Sequence, residues 1–254
     1  MASTISEIVT EPGKAKGRTY VIGDLHGCPT EPAILLKHLE TVEGLNENDN
    51  IVFLGDYIDR GPDSKGVVDI LLEFQTKYPK ARFLKGNHED MLLDFLGFGG
   101  NLGQAFLYNG GLETIQSYGI TVFAPPAEMV GALPPRHFKF FCELESIIRV
   151  GNFICVHAGL NPLRELNAQN DGDVFWIRDE FLSNVHPFKS TVVFGHTPHR
   201  EVYQHLPYKV GIDTGLVFGN KLTCLELSSG RLLQIKKEKK VVEEARIDLS
   251  NRDF

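Results

Sequence analysis

Residues 50–75 read NIVFLGDYIDRGPDSKGVVDILLEFQ. An apolar run, Asn50–Gly55, passes into a polar turn, and then Val67, Leu71 and Phe74 recur at i, i+4 and i+7. That spacing marks one face of a helix. Pro62 and Ser64 read as a turn followed by the helix N-cap. The same order stands on either side. Arg18–Gly23 (RTYVIG) leads into DLHG, then Ile34, Leu35, Leu39 and Val42 near helical period; Lys80–Lys85 (KARFLK) leads into GNHE, then Met91, Leu92, Phe95 and Leu96. Three strand–turn–helix units in succession predict crossover connections and a mostly parallel sheet. Ligands of such sheets gather beyond the carboxyl ends of the strands, and all three polar turns fall there.

Further along, Gly97 to Arg136 is rich in Gly and Pro, with short helical pieces around 101–107 and 112–118. It reads as a cap or loop region (about 97–140) over the site. Ser146–Val156 predicts two strands joined at Gly151-Asn152, and Ser190–Phe194 a buried strand ending in GHTP. Strands near 201–205 and 208–213 precede a hairpin from Leu222–Leu227 to Leu232–Ile235. The expected organisation is an N-terminal tail (1–17), one catalytic domain (18–236) and a charged tail (237–254). The KKEKK run at 236–240 is expected to be solvated and frayed.

With 42% hydrophobic and 23% charged residues among 254, the chain has ordinary globular usage rather than that of a disordered one. Lys plus Arg number 26 against 33 Asp plus Glu, a net charge of −7. That balance argues against nucleic-acid backbone binding, although a few cations in one cleft can still gather an anion. No apolar run approaches the roughly 18 residues of a bilayer span, so no membrane partner is expected. Met1 to Lys16 lacks the apolar core of a secretory signal. Cys28, Cys142, Cys155 and Cys224 show no CxxC spacing and read as reduced thiols of a cytoplasmic protein.

The polar residues that end the strand-like runs are Asp24, His26, Asp56, Asp59, Arg60, Asn87, His88, His157 and His196. Each alone has a plain reading as a turn, cap or surface residue. Together they place carboxylates, imidazoles and an amide on five strand ends at one sheet edge. Such a charge cluster is costly unless it coordinates a cation. Mixed nitrogen and oxygen donors suit Mn, Fe or Zn. Asp24 and His26 can chelate one ion; Asn87, His157 and His196 can hold a second; Asp56 can bridge both. Two divalent ions about 3.5–4 Å apart are the usual clamp for displacement at phosphorus.

GDLHG (23–27), GDYIDRG (55–61), GNHE (86–89), HAG (157–159), WIR (176–178) and GHT (195–197) resemble the signature of calcineurin-like metallophosphoesterases. More narrowly they resemble the phosphoprotein phosphatase family in its bacterial and phage-lambda-like branch, close to the symmetrical diadenosine tetraphosphatases. The resemblance implies an α/β fold, a sandwich of two mixed β-sheets flanked by helices, with a small cap. It implies two divalent ions, manganese foremost with iron or zinc as alternatives, held by Asp24, His26 and Asp56 and by Asp56, Asn87, His157 and His196. A bridging hydroxide would attack phosphorus in line, Arg60 and Arg178 would grip phosphate oxygens, and His88, paired with Asp59, would be the general acid.

The implied activity is hydrolysis of phosphoserine and phosphothreonine, and by extension phosphotyrosine, in proteins. The alternative is a symmetrical bis(5'-nucleosyl)-tetraphosphatase acting on a dinucleotide. A non-catalytic scaffold of the same fold is a third reading, disfavoured because every ligand position is filled. Asn109 in NGG (109–111) is weighed as a substrate contact against a plain turn, and Asp213 in IDTG is read as a turn aspartate. His38, His137, His186, His199 and His205 are assigned to surface or core, and Cys28 is given no nucleophilic role.

Overall fold

The computed structural model describes residues 4–7, 17–121 and 124–250. In chain order the strands are β1 (Ile5–Glu7), β2 (Thr19–Ile22), β3 (Asn50–Phe53), β4 (Ala81–Phe83), β5 (Ile147–Val150), β6 (Phe153–Val156), β7 (Thr191–Phe194), β8 (Tyr203–His205), β9 (Lys209–Gly211), β10 (Lys221–Glu226), β11 (Arg231–Lys236) and β12 (Val242–Arg246). They form two six-stranded mixed sheets, ordered β12-β11-β10-β2-β3-β4 and β1-β5-β6-β7-β9-β8. The helices are α1 (Thr30–Thr41), α2 (Ser64–Lys77), α3 (Asn87–Phe95), α4 (Gly111–Ser117), α5 (Pro126–Ala132), α6 (Pro135–Cys142), α7 (Asp171–Trp176) and α8 (Asp179–Leu182).

The central strands are apolar on both faces because both faces are covered. In β2 and β3, Tyr20, Ile22, Ile51 and Phe53 face the cluster that holds Leu35, Leu39, Val67 and Leu71 of α1 and α2. The alternating residues Val21 and Val52 meet Cys155 and Val193 of the other sheet. Ile154, Val156, Val192 and Phe194 turn the opposite way, toward Val174, Phe175 and Phe181 of α7 and α8. Period-two alternation thus feeds three apolar clusters, layered helix, sheet, sheet, helix.

The parallel runs β2-β3-β4 and β6-β7-β9 finish at the edge where the polar turns begin. Two expectations need correction. The N-cap of α2 is Asp63, whose side chain accepts from the Gly66 amide at 2.7 Å; Ser64 is the first helical residue, and its hydroxyl is turned inward, accepting from the Asp59 amide. The run 236–240 is mostly exposed, as expected, but the chain beyond it is not frayed: β12 pairs antiparallel with β11, and Ile247 and Leu249 are buried between the sheets. At the other end, β1 lies parallel to β5. The expected pieces at 101–107 and 112–118 are short 3-10 turns (Gly103–Ala105 and Leu107–Asn109) and α4, and the region also holds α5 and α6. The four cysteines are free, as expected of reduced thiols; Cys28, Cys155 and Cys224 are buried and Cys142 is exposed.

Asp63→Ala removes the acceptor at the start of α2 and should cost about 1 kcal/mol of stability, read as a lower urea midpoint at unchanged slope.

Candidate active site

Asp56 is the centre of the cluster. It follows β3 in a turn with φ of 51°, and Asp59 and Arg60 are also left-handed, at 72° and 67°. Side chains with a Cβ resist that region, so the turn must be held from outside. Glu89 on α3 holds it. Its carboxylate accepts from the amides of Asp56 (3.0 Å), Tyr57 (2.8 Å), Ile58 (3.3 Å) and Gly86 (2.9 Å). Burial, with the Asp56 charge adding, raises its pKa to about 8, against the amides that favour its anion. Gly86 must be glycine: a Cβ there would fall 2.1 Å from Asp56 Oδ1.

Around Asp56 stand the histidines. His26 Nε2 lies 3.4 Å from Asp56 Oδ2, and His157 Nε2 lies 3.3 Å from Asp56 Oδ1 and 3.1 Å from Asn87 Oδ1. Both rings are fixed through the other nitrogen, which donates to the Ile58 carbonyl in His26 and to the Leu54 carbonyl in His157. Burial lowers the pKa of His26 to about 3 and also lowers those of His157 and His196, so these rings are neutral. A neutral ring whose Nδ1–H is committed presents only a lone pair at Nε2. Lone pairs therefore face carboxylate oxygens with no proton between them.

His196 Nδ1 bonds Asn87 Oδ1 at 2.7 Å, and its Nε2 accepts from Arg178 Nε at 3.0 Å. Arg60 Nη1 lies 2.7 Å from His26 Nε2. Each expected phosphate-gripping arginine thus rests on a candidate ligand histidine. Asp24 accepts from the His196 amide at 2.9 Å through Oδ2, while its buried Oδ1 has no partner. Burial, with Asp213 and Asp56 adding, raises its pKa well above the carboxylate range.

These donors fit divalent cations. Two groups, His26–Asp56–His88 and Asp56–His157–His196, each bring their ligand atoms within 4.8 Å of one another, and Asp56 belongs to both. Asp24 lies outside the first group, where His88 stands instead, yet its orphaned oxygen offers a donor beside it. A site with oxygen and nitrogen acceptors turned on one another needs positive charge to be stable.

His88 is fully buried. Its Nδ1 bonds Asp59 Oδ2 at 2.6 Å, and its Nε2 is a buried atom without a partner. Burial opposes its protonation, but Asp56 and Asp59 outweigh it and raise the pKa. Asp59 is held in turn by the Thr114 hydroxyl, at 2.6 Å, which also meets Ser64 at 2.8 Å. The sequence marks Ser64 only as a helix cap and does not single out Glu89 or Thr114; of the three, only Glu89, inside GNHE, stands in a site motif. Asn109 is exposed, with its amide donating to the Ala105 carbonyl, so its side chain does not join the cluster. Asp213 does face it: it is buried, accepts from the Gly215 amide, and burial lifts its pKa to about 6.

The fold and this cluster define a class, the metal-dependent phosphoric ester hydrolases built on a two-sheet sandwich. The chain belongs to the calcineurin-like phosphoesterase family, whose model matches residues 17–225. It is 30% identical to the asymmetrical bis(5'-nucleosyl)-tetraphosphatase PrpE of Anoxybacillus flavithermus, over 81% of this chain and 88% of that protein. It is 31% identical to serine/threonine-protein phosphatase 1 of Salmonella typhimurium, over 82% and 91%. Among solved structures it resembles one provisionally named as a diadenosine tetraphosphatase, with a TM-score of 0.66 at 24% identity, covering 93% of this chain and 99% of that one. Among the described residues no helix is long and apolar enough to cross a membrane.

Glu89→Gln keeps the side-chain shape but turns an amide NH2 toward backbone N–H groups. Divalent-metal affinity should fall about 10–100-fold, the usual cost of losing a partner that supports a ligand, with the folded circular dichroism spectrum retained; metal analysis after dialysis reads it.

Proposed function

We propose that the chain is a metal-dependent phosphomonoesterase acting on phosphoserine and phosphothreonine, and by extension phosphotyrosine, in proteins. The observation that carries this reading is the buried His88–Asp59 pair, with His88 Nε2 free of any hydrogen-bond partner and 4.0 Å from Asp56 Oδ2. An alkoxide is a poor leaving group, and a positioned imidazolium that donates a proton to it lowers the barrier typically 10²–10⁴-fold. Asp59 fixes the ring by holding Nδ1, which leaves Nε2 as the donating atom.

Asp24, His26, Asp56, Asn87, His157 and His196 would hold the cations, with Mn the first candidate and Fe or Zn the alternatives. Divalent ions there supply stabilisation of charge on phosphoryl oxygens and a lowered pKa for the nucleophilic water. Arg60 and Arg178, with their forks at the rim of the cluster, would bind the remaining phosphate oxygens in pairs. Asn109 would contribute through its turn rather than its side chain. The catalytic residues would all lie within 18–236, with 97–140 as the cap.

A second reading, cleavage of dinucleoside tetraphosphates, is favoured by the PrpE relative. The two separate through the leaving group. A polyphosphate departs as a stable anion and needs little proton help, whereas a serine or threonine alkoxide needs it most.

His88→Asn should retain metal and lower kcat on a phosphothreonine peptide about 10²-fold or more, with a much smaller loss on nitrophenyl phosphate. Equal losses on the two would remove His88 as the acid. Wild-type kcat/KM on the peptide should exceed that on diadenosine tetraphosphate; a hundredfold preference for the dinucleotide, about 2.7 kcal/mol of transition-state binding, would install the second reading.

A further inference from the structure

Two loops leave the cluster side by side. One runs from His196 through Pro198, His199 and Arg200; the other runs from Asp213 through Thr214 to Asn220. They are pinned together. The His199 amide donates to the Asp213 carbonyl at 3.0 Å, and the Asn220 side chain donates to the carbonyls of Arg200 (2.8 Å) and Thr214 (2.7 Å). Between them lies an open cleft of about 360 Å³, walled by Pro198, His199, Arg200, Thr214, Phe218 and Asn220. That volume lies at the lower end of small-molecule pockets, about 300–1,000 Å³.

Phe218 joins the cleft to the reaction centre. Its side chain is 63% exposed, and its ring lies 5.6 Å from the guanidinium carbon of Arg60, the residue that touches His26. A single exposed phenylalanine is unremarkable on a surface. This one is placed by construction. It closes a 3-10 turn, Leu216–Phe218, anchored by buried Leu216 and set between Gly215 and Gly219, both left-handed. The ring is thereby presented at the rim, in contact with a candidate phosphate-binding arginine. The cleft also has a cation at its edge, since Arg200 is exposed there. His199 closes the wall, its ring stacked on Tyr203 at 4.9 Å.

We propose that this cleft is a nucleotide subsite, with the Phe218 ring stacking on a nucleobase and Arg200 meeting phosphates beyond the one held at the dimetal cluster. A flat aromatic face suits a base, whatever its identity. A cation set apart from the catalytic arginines suits a chain of several phosphates, which a phosphoserine lacks. The subsite goes beyond phosphoprotein hydrolysis and gives dinucleoside polyphosphates, the second reading of the site, residues of their own.

Titration calorimetry on the protein loaded with saturating Mn, using ADP and inorganic pyrophosphate, isolates the nucleoside. Both carry two phosphoryl groups, and only ADP adds a nucleoside, at the cost of one ionisable oxygen. Wild-type protein should bind ADP at least about tenfold more tightly; one base–aromatic stack, about 1–3 kcal/mol, covers the 1.4 kcal/mol that a factor of ten represents. Phe218→Ala should erase most of that advantage and Phe218→Trp should keep it. Equal affinity for ADP and pyrophosphate in the wild type, or an advantage that survives Phe218→Ala, would overturn the subsite. So would a Phe218→Ala variant whose only defect is a raised KM for a phosphothreonine peptide, which would give the ring to a peptide. Turnover of peptide and dinucleotide by the wild type tests the proposed function separately, because the ADP to pyrophosphate ratio requires no catalysis.

Discussion

Asp24, Asp56, Asp59 and Glu89 are buried in one corner between two sheets, and the structure is organised around what that burial costs. A buried carboxylate without compensation is either protonated or ruinous. The four are compensated to different degrees. Glu89 is taken up by four backbone amides and Asp59 by His88 and Thr114, whereas Asp56 accepts from the His88 amide and otherwise faces imidazole nitrogens. Asp24 keeps one oxygen with no protein partner. The imbalance is therefore concentrated at Asp24 and at the lone pairs turned toward Asp56, the places where cations are needed.

Backbone strain follows the same map. Of the eight non-glycine residues with positive φ among those described, His26, Asp56, Asp59, Arg60 and His196 lie in the cluster. Such conformations cost of order 1–3 kcal/mol each and persist where neighbours over-determine them. Here the determination comes from two rigid sources: parallel strands that end in register, and α3, which starts at Asn87 and brings Asn87, His88 and Glu89 in on its first turn. One helical turn thus contributes a candidate ligand, the candidate acid and the brace of the opposite loop. Ligand precision depends on such support.

This explains what was legible in the sequence. The three strand–turn–helix units were visible because apolar runs covered on both faces are continuous. The site was visible because its donors sit directly after those runs. Residues acting through backbone or through a second side chain were not: Thr114 looks like any threonine in a helix, and its bond to Asp59 spans 55 positions. The α2 cap was displaced by one residue because Ser64 and Asp63 are both good caps, and only the demand of Asp59 for the Ser64 hydroxyl decides between them. β12, VEEAR, carries no apolar alternation, since it is an edge strand with mostly exposed side chains. Pro125-Pro126 and Pro134-Pro135 suggested loops, whereas Pro126 and Pro135 are first residues of α5 and α6, a position that tolerates a missing N–H.

The relatives divide between ester and anhydride substrates, and the reaction centre itself gives a reason. Displacement at phosphorus asks the same of the cations and arginines whichever group departs, because the charge they meet is on the phosphoryl oxygens. Only two features distinguish the substrates. One is the proton that the leaving oxygen needs, which in the proposed reading would come from His88, held by Asp59. The other is the body attached to that oxygen, which lies outside the cluster, where Tyr108 and Phe218 stand exposed on the two loops that touch Arg60. The loop of Tyr108 meets Arg60 through the Gly110 carbonyl, and the loop of Phe218 meets it through the ring. Arg60 is therefore where the candidate phosphate site and the rim meet. A change of rim loop can redirect such an enzyme from protein to nucleotide without altering a single ligand, and substrate class must be read from the rim rather than from the shared motifs.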